Sequence, residues 1–427
     1  MAQRTIGHAD HSALWHRALY IGSLMLAGES IYMLPYMRKT FQTSMEEVFA
    51  ISAAQVGLLN SMFGILALVC YFPGGWFADR FPARRLLTLS LVSTGLGGFT
   101  MVLEPGFAGL LAIHAFWGIT SILMFWAALI KATRNWGGAH EQALSFGLLD
   151  GGRGVLAAVL ATLATGLFAT FEQGGDTAGG LISVIVVYSA APIAVGGLVW
   201  FFIPDSLHED EPEERRAEWG STRRSLFARA ARIPDVWLLG GVIFCAYILF
   251  LGTYELPAFV ERGYGESKVT GATLGTFRDW MRPIGAIGAG LLADRLSAGR
   301  IVAASFALLM AGFASLFLIP AAQGLLWMLW MQVAIVALAV FALRGIYYAL
   351  LREMGIPMAM TGMTVGIVSV IGYTPDIFLH LVAGLLTQGS GIAGYQNYFG
   401  VMAFVAAAGL VVSTVICMRE KTTGVSE

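Results

Sequence analysis

The chain has 427 residues, of which 57% are hydrophobic and only 12% are charged, and its formal net charge is −1. Soluble domains carry about 25% charged residues, so these charges are too few to cover a soluble surface, and the near-neutral balance argues against a nucleic-acid partner. The three cysteines stand apart in apolar segments, without the spacing of metal ligands. The composition therefore predicts a protein of the lipid bilayer, with neither a metal nor a cofactor expected.

Twelve apolar segments are long enough to cross a membrane, because about 20 apolar residues span the hydrocarbon core of a bilayer. The predicted spans are 15–37, 53–77, 86–104, 107–131, 143–171, 180–203, 235–260, 269–292, 301–319, 324–350, 358–387 and 397–418. Because each segment has the length of a membrane-spanning helix and is mainly apolar, the sequence predicts an all-α integral membrane protein.

Lysine and arginine residues are concentrated on one side of the predicted spans, in the loops that follow spans 2, 4, 6, 8 and 10. The basic residues on the opposite side are Arg38, Lys39, Arg262 and Lys268. Positively charged loops remain in the cytoplasm. We therefore expect a multi-pass, monomeric protein of a bacterial inner membrane, with both termini in the cytoplasm.

The long polar stretch after span 6 is the one clear boundary in the chain. It is acidic at first and basic later, as expected of a solvated cytoplasmic linker, although the basic part could also lie on the anionic inner leaflet. The predicted organisation is an N-terminal bundle at 1–203, a linker at 204–234 and a C-terminal bundle at 235–427.

The two halves repeat a short charged motif between their second and third spans. The first copy, GGWFADRFPARR, starts at Gly74, and the second, AGLLADRLSAGR, starts at Ala289. Further pairs that recur about half a chain apart are Tyr32 with Tyr254 and Lys131 with Arg352. Because each half has an even number of spans, the repeat predicts two pseudo-symmetric six-helix bundles of the same topology.

This motif resembles the hallmark G-x-x-x-D-R-x-x-x-R-[RK] of the major facilitator superfamily. The matching residues are Gly75, Asp79, Arg80, Arg84 and Arg85 in the first copy and Gly290, Asp294 and Arg295 in the second. The resemblance covers essentially the whole chain and implies two bundles around a central cavity that transport by alternating access.

The same resemblance implies a cytoplasmic gate, because carboxylates in these loops can pair with arginines and with helix N-termini. The predicted gate residues are Asp79, Arg80, Arg84, Asp294 and Arg295. The alternative is that these charges only set the topology.

Ionisable groups inside apolar spans are costly unless they face a cavity or a partner, so they indicate function. Span 4 reads AIHAFWG, and His114 stands where the family often has an arginine; an imidazole titrates in the physiological range. Glu29, Asp150 and Asp376 are carboxyl groups of spans 1, 5 and 11. We predict that these four residues couple transport to protons, the alternative for His114 being a histidine held by a neighbouring hydrogen bond.

Three arginines are predicted to reach a similar depth from three different spans. From the helical rise, Arg153, Arg282 and Arg344 lie about 16, 18 and 12 Å from the cytoplasmic face, and Arg278 lies one turn further out. A guanidinium fork suits a carboxylate or a phosphate, and family members that carry organic anions use such arginines, one of them in span 8. The alternative is structural ion pairing, with Asp150 as the first candidate partner of Arg153.

Aromatic side chains near the same depth are predicted to form the wall of the substrate site. The predicted wall residues are Tyr32, Trp126, Trp280, Tyr347, Tyr348 and Tyr373, of which Tyr32, Trp126, Trp280 and Tyr373 are assigned to substrate contact. In span 11, Pro375 removes a backbone hydrogen bond and predicts a bend beside Asp376.

These features predict a secondary active transporter of a small organic anion, such as a carboxylate, a sugar acid or an organophosphate, coupled to protons. The alternative is a proton-coupled exporter of drugs or organic cations that uses the buried carboxylates. An enzyme is not expected, since nucleotide-binding glycine motifs, metal-ligand spacings and a nucleophile elbow are not found in the sequence.

Overall fold

The computed structural model describes residues 11–137, 142–205, 229, 231–356, 361–389 and 391–423. All regular secondary structure in these ranges is helical. The all-α membrane fold predicted from the sequence is therefore confirmed.

The first half of the chain begins on the side predicted to be cytoplasmic, called the inner side below. Its helices are α1 (His11–Met33), α2 (Arg38–Val48), α3 (Ala53–Arg80), α4 (Ala83–Phe99), α5 (Phe107–Ile119), α6 (Ala127–Gly137), α7 (Gln142–Glu172) and α8 (Thr177–Phe202). A 3-10 turn, Thr100–Leu103, extends α4, and a π-helical segment, Thr120–Trp126, joins α5 to α6.

The second half repeats this arrangement with more interruptions. Its helices are α9 (Pro234–Gly252), α10 (Leu256–Tyr264), α11 (Lys268–Leu296), α12 (Ala298–Leu318), α13 (Leu326–Ile346), α14 (Leu350–Glu353), α15 (Thr361–Gly372), α16 (Pro375–Thr387) and α17 (Gly391–Thr423). Three 3-10 turns join its pieces at Thr253–Glu255, Gln323–Leu325 and Tyr347–Ala349. The predicted bend of span 11 is confirmed, since α15 ends before Pro375 and α16 begins at it.

Ten of the twelve predicted spans in the described chain are both long enough and apolar enough to cross a membrane. The other two are α1 and α11, with 23 and 29 residues. Both are long enough, but α11 carries Arg278, Asp279 and Arg282, and α1 carries Glu29. Charge therefore lowers the hydropathy of the two helices that supply much of the polar site described below.

A short helix crosses the outer side between α1 and α3, where the sequence analysis placed a longer first span. The chain leaves α1 after Met33 and turns through Pro35, which lacks the N–H that would continue the helix. The next helix, α2, buries Arg38, Phe41 and Met45 among others, and packs against α3, α8, α10 and α11. It is therefore an outer cover in contact with both halves.

Buried apolar residues gather into clusters that largely follow the two halves. One cluster runs from Val236 to Ile416, and two others occupy the first half, one of which also takes in Ala272 of α11. Each half thus has apolar packing largely of its own.

On the outer side the halves meet backbone to backbone, where α3 packs against α16. A Cβ at Gly57 would lie 2.1 Å from the carbonyl oxygen of His380, and one at Gly64 would lie 2.7 Å from that of Asp376. A Cβ at Gly384 would lie 2.4 Å from the carbonyl oxygen of Ala53. These glycines therefore permit an approach that closes the outer side.

Replacing Gly57 with valine is expected to hold the outer side open, because the added atoms meet the backbone of α16 and a packed backbone cannot yield as a side chain can. Spin labels at Gln173 and Ala322, which are exposed in outer loops of different halves, should report a longer mean distance. Gly166→Val in α7 is the matched control, since nothing lies within 4 Å of its Cβ position. An unchanged distance in Gly57→Val would contradict the close contact.

Candidate functional site

A cluster of charged side chains joins the halves below the outer seam. Glu29 of α1 lies between two arginines of different halves: its Oε2 is 3.9 Å from Arg153 Nε and 3.9 Å from Arg282 Nη1. Arg282 Nη2 also donates to Asp150 at 3.3 Å. The structure therefore brings together two predicted substrate arginines and two predicted proton carriers.

The pairing inside this cluster differs from the one expected from the sequence. Asp150 and Arg153 are three residues apart on α7, yet the contact that Asp150 makes is with Arg282 of the other half. Arg153 instead turns toward α1, with its guanidinium 5.8 Å from the ring of Tyr32 and 6.0 Å from that of Trp126. The packing of α7 against both α1 and α11 decides which partner each side chain meets. A spacing of three residues along α7 does not decide it.

Trp280, also predicted to contact substrate, lies at the edge of the same interface. Its indole N–H donates to the hydroxyl of Thr162 at 3.0 Å, and the residue is 40% exposed. This hydrogen bond joins α11 to α7. The structure thus places Trp280 as an inter-half contact, with its indole donor already used.

Arg344 lies near the end of α13 among aromatic rings of the second half. Its guanidinium carbon is 3.9 Å from the ring centre of Phe250 and 5.6 Å from that of Tyr247. Its Nη1 is buried and has no hydrogen-bond partner in the described structure. Among the described residues no carboxylate forms an ion pair with it.

Tyrosine hydroxyls continue from Arg344 across to the broken span 11. The hydroxyl of Tyr373 is 3.2 Å from that of Tyr347 and 3.4 Å from that of Tyr348, and Tyr348 also reaches Ser369 at 3.2 Å. Each hydroxyl can donate and accept. The predicted wall residues Tyr347, Tyr348 and Tyr373 therefore contact one another, and the structure adds Ser369 to this polar wall.

Asp376, at the start of α16, lies where the two halves meet. It accepts a hydrogen bond of 2.6 Å from Tyr247 and one of 3.4 Å from Tyr36 of the first half. Its Oδ1 is 3.6 Å from Nε2 of His380, one turn further along. The structure thus adds His380 and Tyr36 to a site for which the sequence indicated Asp376 alone.

Arg278 is not brought to this cluster, although the sequence indicated it as a substrate ligand. It is 1% exposed and donates to its neighbour Asp279 at 2.7 Å. It also lies 5.0 Å from the ring centre of Tyr254 and reaches the carbonyl oxygen of Thr253 at 3.4 Å. Because these contacts are within its own half and occupy its donors, the structure makes it a packing and pairing residue.

His114 is likewise placed away from the charged cluster. It is 1% exposed inside the first half, with Nδ1 2.9 Å from the carbonyl oxygen of Leu110 and its ring 4.9 Å from that of Trp117. The local hydrogen bond foreseen as the alternative is the contact that forms. The predicted role of His114 in proton coupling finds no support in this placement.

An ionic network seals the outer side, and the sequence analysis missed it. Lys39 of α2 donates to Asp279 at 2.9 Å, and Lys268 lies 3.9 Å from Glu172. Further cross-half ion pairs are Arg38 with Glu255, Arg262 with Glu46 and Lys268 with Glu47. The sequence signal was present, since the few basic residues of the outer side stand near acidic ones, but the partners lie far apart in the chain.

The predicted inner gate is described only in part. The side chains of Asp79 and Asp294 lie outside the described residues. Arg80 lies 4.0 Å from the ring centre of Trp76 in its own half, and Arg295 is exposed. The role of these residues in a gate stays a prediction.

Arg84, the remaining gate residue, pairs within the first half. Asp205 Oδ2 accepts hydrogen bonds from Arg84 at 2.7 Å and from Arg85 at 3.0 Å. The hydrogen bonds from Arg85 and Arg84 hold the pKa of Asp205 below its ordinary value. Arg84 therefore ties the end of α8 to the start of α4 and does not bridge the halves.

The molecule is closed on its outer side and open on its inner side. The outer seam carries the glycine contacts and the ion pairs described above, whereas the side chain of Asp150, which faces the other half, is 71% exposed. A charged side chain between two bundles can be that exposed only if the space around it is open. The described geometry is thus an inward-facing one.

Comparisons with known proteins agree with this architecture. The sequence profile of the Major Facilitator Superfamily matches residues 19–378. The inner membrane proteins YihN and YqcE of Escherichia coli (strain K12) are each 29% identical to this chain; YihN aligns over 93% of this chain and 94% of its own length, and YqcE over 87% of each.

Two more distant relatives have named substrates. The hexuronate transporter of Bacillus subtilis (strain 168) is 24% identical over 91% of this chain and 90% of its own length. The D-galactonate transporter of Escherichia coli O6:H1 is 24% identical over 85% of this chain and 87% of its own length.

Among solved structures, a bacterial homolog of the human lysosomal transporter Spinster, in an inward-facing and unoccupied conformation, superposes with a TM-score of 0.73 at 17% identity. The match covers 95% of this chain and 98% of that one and establishes the shared fold. The protein is a multi-pass inner-membrane transporter of a small molecule and is not an enzyme. With the family profile covering most of its length, the chain belongs to the major facilitator superfamily.

Proposed function

We propose that this transporter carries a small organic monoanion in symport with a proton. Arg344 carries this proposal: it is a buried guanidinium with one unpartnered nitrogen and without a carboxylate partner among the described residues. An unpaired buried charge is unfavourable, so such a residue is expected where a ligand supplies the opposite charge. The planar fork suits a carboxylate.

Charge balance supports one proton for each bound monoanion. The six charged side chains around the inter-half space are Arg153, Arg282, Arg344, Glu29, Asp150 and Asp376. When all six are ionised their charges cancel. A bound monoanion adds one negative charge where net charge is poorly solvated, and a proton bound with it restores the balance.

We assign that proton to Glu29, because a substrate anion bound to Arg153 and Arg282 would replace the carboxylate charge beside them. Its contacts with Arg153 and Arg282 are both 3.9 Å, and no hydrogen bond to it is formed in the described part of the chain. Asp376, in contrast, is held by a 2.6 Å hydrogen bond from Tyr247. Protonation of Glu29 would leave both arginines available to the substrate.

The polar wall beside Arg344 favours a hydroxylated acid. Tyr347, Tyr348 and Tyr373 present hydroxyls that can donate to and accept from the hydroxyls of a substrate. A sugar acid combines one carboxylate with several hydroxyls and matches this arrangement. The relatives named for hexuronate and D-galactonate support the same class.

The geometry favours the anion over an organic cation. A cation exporter needs a carboxylate free to pair with the substrate. Glu29 faces two arginines, Asp150 faces Arg282, and Asp376 is held by tyrosine hydroxyls. Each of these carboxylates thus has a partner, whereas Arg344 has no ion-pair partner among the described residues. An exporter of cations requires the reverse, a carboxylate without a partner.

A ligand screen by thermal unfolding tests this proposal. At about 100 times its Kd, a ligand of the folded state adds about 2.7 kcal/mol to stability. D-galactonate and D-glucuronate are expected to raise the melting temperature of the purified protein, whereas the uncharged controls D-galactose and D-glucose are not. Stabilisation by a lipophilic cation but by neither acid would overturn the proposal in favour of the cation exporter.

A further inference from the structure

The contact between Arg38 and His380 fixes the protonation state of that histidine. Arg38 Nη1 lies 2.7 Å from His380 Nδ1, and the two residues are 1% and 2% exposed. A guanidinium has only N–H donors, so Nδ1 must be the acceptor and cannot carry a proton. The ring is therefore neutral, with its proton on Nε2, 3.6 Å from Asp376 Oδ1.

Arg38 also forms contacts between the two halves that keep the outer side closed. Arg38 belongs to α2 in the first half, and it pairs with Glu255 of the second half. It also donates to Gln42 of its own helix at 2.7 Å. Arg38 thus has two partners in the second half, Glu255 and, on α16, His380. Both must release Arg38 before the outer side can open.

We propose that protonation of His380 is the switch that releases Arg38 and opens the outer side of the transporter. A second proton on Nδ1 would place two cationic N–H donors at hydrogen-bonding distance, which repel each other strongly where water is excluded. A protonated His380 is therefore incompatible with a closed outer side. This inference requires alternating access but does not depend on the identity of the substrate.

Once the halves separate, His380 keeps a partner that favours the second proton. Asp376 lies one turn away on the same helix and moves with it, whereas Arg38 moves with the first half. The imidazolium is thus paired in the open state and opposed in the closed state. A ligand shifts a conformational equilibrium by its difference in affinity for the two states, and here the proton is that ligand.

The remaining groups that face His380 leave this balance unchanged. From the α9–α10 connection, Tyr254 stacks on the ring at 5.9 Å between centroids, and Glu255 is the anion of Arg38. From the α1–α2 turn, Tyr36 lies at 6.5 Å. From α3, the backbone at Gly57 packs against the backbone of His380. The charged groups that decide its protonation are therefore Arg38 and Asp376, which belong to different halves.

Spin labels at Gln173 and Ala322 in the full-length protein, without substrate, test the switch. Lowering the pH from about 8 to about 5 should lengthen the distance between the outer loops, by up to about tenfold in the open-to-closed ratio per pH unit for one proton. His380→Gln offers the same acceptor and donor but cannot be protonated, so it should stay closed at every pH. His114→Gln, a buried histidine within one half, should keep the response.

A pH response retained in His380→Gln would overturn the proposal, as would an unresponsive wild-type protein. His380→Asn offers the same two groups on a shorter stem and serves if the glutamine variant does not fold. Because the labels report conformation without substrate, failure here is distinct from failure of the anion screen. A switch that works in a protein that binds none of the acids would leave this inference standing and the substrate proposal refuted.

Discussion

Arg344→Gln is expected to abolish binding of the anion and to leave the fold intact. Removing one member of a buried charge pair costs about 3–5 kcal/mol, so the Kd of the acid should rise at least about a hundredfold. No ion-pair partner of Arg344 lies among the described residues, so its removal strands no carboxylate there. The melting temperature without ligand should stay equal or rise, while the shift with D-galactonate disappears.

Arg344→Lys separates geometry from charge. The ammonium keeps the positive charge but loses the planar fork, so most of the affinity should be lost in this variant as well. Titration calorimetry with the stabilising acid gives the Kd of both variants.

Arg278→Gln is the matched control, since this second buried arginine of the same half is paired with Asp279 and is 1% exposed. We expect the opposite result: a stability lowered by on the order of 3 kcal/mol, with the ligand shift retained in the folded fraction. If Arg344→Gln lowered the melting temperature and preserved binding, Arg344 would be structural and the anion site would lie elsewhere.

Glu29→Gln is expected to uncouple transport from the proton gradient. The wild-type protein in vesicles should accumulate the acid by up to about tenfold per unit of pH gradient, because one proton moved down that gradient releases about 1.4 kcal/mol. The variant cannot bind the coupling proton, so accumulation should fall to equilibration. Exchange of labelled for unlabelled acid should persist, since Arg344 is unchanged.

Asp235→Asn is the control for this experiment. Asp235 lies outside the six-charge cluster and pairs with Arg419, and their side chains are 33% and 54% exposed, so this ion pair contributes little. Its neutralisation should leave accumulation close to that of the wild-type protein. Accumulation that survives in Glu29→Gln, or that is lost in Asp235→Asn, would remove Glu29 from the coupling step.

The amino-acid sequence by itself predicted the all-helical membrane fold and the ten spans that are long enough and apolar enough to cross a membrane. Apolar length and charge bias are local properties, and the two ADR motifs place corresponding loops in the two halves. The helical rise also placed Arg153, Arg282 and Arg344 at similar depth, because depth along a helix depends only on position in the chain.

Only the tertiary structure decided which charged groups face one another. The partner that a side chain meets depends on how the helices pack. Asp150 therefore pairs with Arg282, and Arg278 pairs with Asp279. Arg38 and His380 are 342 residues apart in the chain, yet their side chains form a hydrogen bond. No local pattern connects them, because it is the approach of α2 to α16 that creates their contact.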